Sequence, residues 1–313
     1  MSDYAMTEAE FRALHQRLRS ACAWMPADRR GALNNISMSD VVAAARGVSV
    51  GRTVSLAAPI QGPGPDNPEP AVHQLAHSAV GPDRAAGLTF ATDRLALNIH
   101  GDADSHMDAL CHVLFDGALY NGIDDGSADG LADHTAAAAE LSIDIVADGV
   151  AGRGLLLDIP KVRGVAWLEP GDHVTADDLR AAEAAQADRI SQGDLVFVRV
   201  GHSARRRSQG PWDAARERAG LHPAALELLA ERRIGVLGSD SNSDTAPSVV
   251  EGVDFPAHVL AINAMGLHLL DYLDLEELMT LCQELRRWSF LAVLAPLRLP
   301  AGTGSPINPI AIF

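Results

Sequence analysis

The sequence predicts a mixed α/β chain with a single core. Three observations carry this: short apolar runs bounded by turn residues, capped amphipathic segments between them, and a composition with 47% apolar and 21% charged residues. The 313 residues suit one large domain or two small ones, and no convincing boundary divides them. Residues 1–313 are therefore read as one domain with an N-terminal helical extension over about 1–45.

The elements follow in order. Thr7-x-x-Glu10 is a capping box, after which Phe11, Leu14 and Leu18 fall on one helical face. Residues 24–35 read as an irregular connection, and residues 61–70 (QGPGPDNPEP) carry too many prolines for a regular element. Residues 154–159 (GLLLDI), 194–200 (DLVFVRV) and 234–237 (IGVL) have the pattern of buried strands. Between them, Thr175-x-x-Asp178 opens a helix on Leu179, Ala182 and Ala185, and residues 223–233 form another with proline near its first turn. A last helix begins near Asp274, with Glu277 three residues on and Leu278, Leu281, Cys282 and Leu285 on one stripe.

Charge narrows the function. With 25 Lys+Arg against 41 Asp+Glu the net charge is −16, which argues against nucleic acid or an anionic membrane as partner. The only dense basic run is Arg205-Arg206-Arg207, a solvated loop by default. Cys22, Cys111 and Cys282 are odd in number and widely spaced, as expected of reduced thiols in a cytoplasmic protein. The first residues lack a basic start followed by an apolar segment, and no apolar run approaches the ~20 residues of a membrane span. A soluble cytoplasmic globular protein is the expectation.

Residues 98–113 read NIHGDADSHMDALCHV and hold three of the twelve histidines. His100, Asp102, Asp104, His106 and Asp108 occupy alternate positions, so an extended backbone puts all five side chains on one face. Like charges on one strand face repel, and a divalent cation removes the repulsion. Imidazole with carboxylate suits zinc, manganese or iron, completed by one or two distant ligands and an open position for water. The bland alternative is a solvated acidic turn with incidental histidines. Four residues beyond Asp108, His112 sits in an apolar context, placed for general acid–base work beside such a face.

The run Ser105-His106-Met107-Asp108-Ala109-Leu110-Cys111-His112, followed by Phe115-Asp116-Gly117 and Tyr120-Asn121-Gly122, resembles the cyclase family of metal-dependent hydrolases, which includes bacterial kynurenine formamidase and isatin hydrolase. Residues 30–34, the segment around Gly193, Asp194 and Arg199, Gly238-Ser239-Asp240 and residues 302–309 look like its longer members. The resemblance implies a swivelling β/β/α fold, metal ligation by His106 and Asp108, and catalysis by His112. The family's first histidine falls at Asp102 here, so the third early ligand is His100, if the backbone bulges, or Asp102 or Asp104. His100 is preferred. A histidine and a carboxylate from a later helix complete the family's site, and His258 and Asp271 look like those partners, the aspartate standing where kynurenine formamidase has glutamate.

The resemblance implies one or two zinc or manganese ions, a homodimer or homotetramer, and hydrolysis of a non-peptide C–N bond in a formamide or cyclic amide. Lactone hydrolysis or ring cyclisation on the same site is the nearest alternative, and a non-catalytic homologue with a degraded site is another. A serine hydrolase is a weaker rival: residues 198–205 (VRVGHSAR) begin like a nucleophile elbow at Ser203, but Arg205 replaces the second glycine. Trp24, Phe115, Tyr120, Trp167 and Trp212 are candidates for an aromatic wall. His268 reads as a packing histidine and His73 and His77 as weak candidates, while His15, His134, His173, His202 and His222 carry no signal.

Overall fold

The three apolar runs lie side by side in the computed structural model of the chain, which describes residues 4–64, 67, 69–78, 90–123 and 139–313. In chain order the described strands are β1 (Thr53–Ser55), β2 (Val72–Ser78), β3 (Phe90–Ala96), β4 (His106–Asp108), β5 (Val150–Asp158), β6 (His173–Val174), β7 (Leu195–Arg199), β8 (Gly220–Leu221), β9 (Val236–Ser239), β10 (His268–Asp271), β11 (Ser289–Leu294), β12 (Gly304–Pro306) and β13 (Ile310–Ile312). One nine-stranded sheet takes the order β1-β13-β11-β5-β7-β9-β10-β4-β12. Its centre, β5, β7, β9 and β10, is parallel. Parallel strands are covered on both faces, which is why 155–157, 195–198 and 236–237 are apolar without alternation and fully buried. Antiparallel strands complete the flanks, β11, β13 and β1 on one side and β4 and β12 on the other. β2 pairs with β3, and β6 with β8, as separate ribbons.

The helices follow their caps. Both capping boxes form, starting Glu8–Ala21 at Thr7 and Ala176–Gln186 at Thr175, and a third at Ser37 opens Met38–Arg46. The helix read over 223–233 is the shorter Ala225–Glu231, and the last is Glu276–Leu285, which Leu275 precedes without a side-chain cap. Of residues 61–70, residues 65, 66 and 68 lie outside the described residues, as does His134. The three cysteines are unpaired. No described helix is long and apolar enough to cross a membrane.

Two contacts position the site. The N-terminal helix buries Phe11, Leu14, His15 and Leu18, and His15 Nε2 lies 3.0 Å from Asn263 Oδ1, while the Asn263 amide donates to Ala118 O at 2.8 Å. His15, without signal in the sequence, thus ties this helix to the chain that follows His112. Gly31, at φ +54°, lies against Gly266, and a Cβ at 31 would come within 2.1 Å of Gly266 O. Only glycine permits that approach, which fixes the N-terminal segment against the turn leading into β10.

Candidate metal centre

The carboxyl ends of parallel β9 and β10 and the short strand β4 meet at one place, the usual ligand position in an open α/β sheet. In β4, His106 pairs with Asp271 at the end of β10, and Asp108 returns to the same face two residues on. β4 is only three residues long, so the expectation that all five alternating side chains share one face is corrected. The chain turns and bends through residues 99–104, and the two extra carboxylates find donors elsewhere instead of crowding Asp108. Asp102 accepts the Tyr272 hydroxyl at 2.7 Å, and Asp104 accepts the Gln61 N–H at 2.9 Å.

His258 ends the short helix Pro256–His258, which runs into a π-helical turn, Val259–Ala264. Asp271 lies in a strand, not in the later helix the resemblance implied, because the register of β10 with β4 carries it to the cluster. Beyond it, Tyr272 takes φ +54°, a left-handed conformation costing roughly 1–2 kcal/mol in a non-glycine residue. Its ring centroid lies 6.3 Å from that of His106.

Four side chains converge. His258 Nε2 lies 3.2 Å from Asp271 Oδ2 and 3.4 Å from Asp108 Oδ2, and His106 Nε2 lies 3.6 Å from Asp108 Oδ1. A tetrahedral cation bound at about 2.0–2.1 Å holds its ligand atoms about 3.3–3.4 Å apart. The outer nitrogens of both imidazoles are already held, His106 Nδ1 at 2.9 Å from Asp104 O and His258 Nδ1 at 2.6 Å from Asp244 Oδ2. Asp108 Oδ2 and Asp271 Oδ2 are buried with no hydrogen-bond partner among the described residues. Buried carboxylate oxygens are ordinarily satisfied, so this pair fits a cation.

His100 also reaches the cluster. Its Nδ1 lies 3.0 Å from Asp108 Oδ1, its Nε2 lies 2.9 Å from Thr303 Oγ1, and its ring stacks on His112 at 3.7 Å and 5°. Both nitrogens are thus engaged, so His100 braces Asp108 here and would have to release one partner to ligate. His100, Asp108 and His112 still form a second donor triad, with ligand atoms within 4.8 Å of one another.

Burial raises the Asp108 carboxyl, and the imidazoles around it, His112 first, outweigh that and hold it well below the ordinary carboxylate range. Burial lowers His258, and Asp271, Asp108 and Asp244 outweigh it, raising the imidazole well above its usual value. Burial pushes His112 down to about 4, with Asp108 only partly opposing, so its ring is neutral at pH 7. His268 is fully buried and its Nδ1 lies 2.8 Å from Asp108 O, a packing role.

Tyr272, next in the chain to Asp271, lines a hollow of about 500 Å³ together with Ile60, Asp102, His202, Ser203 and Trp212, and none of the four cluster side chains lines it. Of the five aromatics proposed as a wall, only Trp212 lines it. Tyr120 donates to Asp28 Oδ2, Phe115 packs on Phe11 and His15, Trp167 donates to Glu169, and Trp24 packs against the main core. Sequence reasoning missed Ser243, Asp244 and the role of Thr303. The available signal was seven consecutive polar residues, 239–245, beginning at the last residue of β9; the structure buries all of them.

The profile of a family described as "Putative cyclase" matches residues 48–244. Among solved structures, a crystal structure of a novel cyclase is 28% identical and superposes with a TM-score of 0.79, covering 96% of this chain and 99% of that one. Isatin hydrolase A from Ralstonia solanacearum is 21% identical, with a TM-score of 0.58 over 88% of this chain and 97% of its own. An isatin hydrolase bound to the product analogue thioisatinate is 20% identical, with a TM-score of 0.56 over 89% and 99%. These two share the fold. No curated protein matches.

Proposed function

The chain belongs to the cyclase family, its profile spanning residues 48–244, and from that premise we propose a metal-dependent hydrolase that cleaves a non-peptide C–N bond of a small formamide or cyclic amide. The observation that carries the reading is the pair of buried, unpartnered carboxylate oxygens on Asp108 and Asp271, facing two imidazoles whose outer nitrogens are anchored. His106, Asp108, His258 and Asp271 would hold the cation, with His100 as brace or further ligand. A divalent ion such as zinc or manganese held there would supply a Lewis acid for the scissile carbonyl and would lower the pKa of a water to about 7. His112, neutral at pH 7, accepts the proton of the attacking water on a ring nitrogen and returns it to the leaving group. An amine departs poorly unless protonated, so a histidine at this position favours amide over lactone cleavage. Asp102 and Tyr272 form one wall of the hollow in which the rest of the substrate would lie.

The test is metal analysis of protein purified without added metal, with hydrolysis of N-formylkynurenine, isatin and simple lactones assayed before and after chelation. Metal near one or two ions per chain and chelator-sensitive amide hydrolysis are expected. Metal that re-addition cannot restore, with none of these substrates turned over, would overturn the proposal. A homodimer or homotetramer belongs to the same reading, and light scattering in solution tests it.

A further inference from the structure

We infer that the adjacent residues Ser243 and Asp244 act as one brace that positions both late ligands, Asp244 setting the His258 imidazole and Ser243 setting the Asp271 carboxylate. The inference rests on the proposed metal site. Both residues are fully buried, in the loop that follows β9. Asp244 Oδ1 accepts the Ala257 N–H at 2.5 Å, and Oδ2 accepts the His258 N–H at 3.0 Å while lying 2.6 Å from His258 Nδ1. One carboxylate therefore holds the main chain and the ring of His258 together. A carboxylate facing Nδ1 keeps a proton there, so Nε2, which faces Asp108 Oδ2 and Asp271 Oδ2, is the nitrogen left to bind a cation. One residue earlier, the Ser243 N–H and Oγ–H both donate to Asp271 Oδ1, at 3.1 and 2.7 Å, so that Oδ2 is the oxygen left to face His258.

The brace is itself anchored. Arg218 is fully buried, and its guanidinium donates to Asp244 O at 3.0 Å and to Ala214 O and Ala215 O at 3.0 and 2.8 Å. Its main chain exchanges hydrogen bonds with Ala246. The segment is thereby fixed by contacts that do not involve the cluster side chains, and a change at 244 acts on the site through His258.

The experiment is zinc titration by calorimetry of the full chain, wild type against Asp244→Asn and Ser243→Ala, with the His258 tautomer read by ¹⁵N NMR of the zinc-loaded wild type. Asn cannot satisfy both N–H groups and Nδ1 as the carboxylate does, so Asp244→Asn should weaken zinc binding about 10–100-fold. Ser243→Ala, which keeps the backbone donor, should weaken it by less, about tenfold or under. In the wild type, His258 should carry hydrogen on Nδ1 and bind zinc through Nε2. Wild-type affinity in both variants, or zinc on Nδ1, would overturn the brace while leaving the metal site standing. A wild type that binds no zinc would overturn the metal site itself. Should Asp244→Asn not fold, Ser243→Ala and the wild-type tautomer decide the matter.

Discussion

Asparagine at position 271 separates a metal ligand from a structural carboxylate. Asp271→Asn preserves size and, through its carbonyl, both hydrogen bonds from Ser243 to Oδ1. It replaces Oδ2, 3.2 Å from His258 Nε2 and without a hydrogen-bond partner among the described residues, by an amide nitrogen that cannot bind a cation. Four-ligand zinc sites are worth roughly 10–16 kcal/mol, or about 3 kcal/mol per ligand, so losing one weakens binding about 100-fold. With free metal at about 100 times the wild-type Kd, the wild type gains about 2.7 kcal/mol of stability, whereas the variant, then near its own Kd, gains about 0.4. An unfolding entropy of about 2.1 cal/mol/K per residue makes 1 kcal/mol worth about 1.5 °C for 313 residues. The metal-induced rise in Tm should therefore be about 3–4 °C smaller in the variant. Thermal melts followed by circular dichroism, on stripped and reloaded protein, measure it. Equal metal-induced shifts in the two proteins would refute the role of Asp271.

Three further outcomes follow from named contacts. His112→Ala should keep its metal yet lose about 10²–10⁴-fold in turnover of whichever amide the wild type hydrolyses; elemental analysis beside kinetics checks both halves, and full activity contradicts the role. Gly31→Ala places a Cβ 2.1 Å from Gly266 O at φ +54°, and should lower stability by about 3 kcal/mol, seen as a lower urea midpoint at unchanged m-value. Asp194 is pushed up to about 6 by burial, which outweighs its ion pair with Arg153. The folded chain thus holds this proton to higher pH than the unfolded chain, so the contribution to stability is complete below about pH 4 and is lost as pH rises through about 6. Urea midpoints across that window should fall less steeply in Asp194→Asn than in the wild type, and identical slopes would contradict the assignment.

The parallel centre of the sheet was legible because strands buried on both faces need apolar side chains without alternation, as in residues 154–159 and 194–200. The helices capped by Thr7 and Thr175 were legible because a Thr with an acid three residues on satisfies the first free N–H groups locally, whereas the same device at Ser37 went unread. The spacing of His106 and Asp108 placed both on one strand face, and the period of two failed upstream, where turns send Asp102 to Tyr272 and Asp104 to Gln61. That Asp271 joins His106 and Asp108 depends on the pairing of β10 with β4, which no local pattern encodes. Asp244 lay hidden for the same reason: its partner His258 is 14 residues away, and a polar run after a strand reads as a solvated loop until its burial is seen.

The central claim is that four side chains form one cation site. Crystals grown with zinc or manganese, with diffraction recorded at the absorption edge of the metal, test it most directly. An anomalous peak bonded to His106, Asp108, His258 and Asp271 is the predicted result, with the Asp244 carboxylate behind His258. No anomalous peak at these four residues, or a peak only elsewhere on the chain, would contradict it.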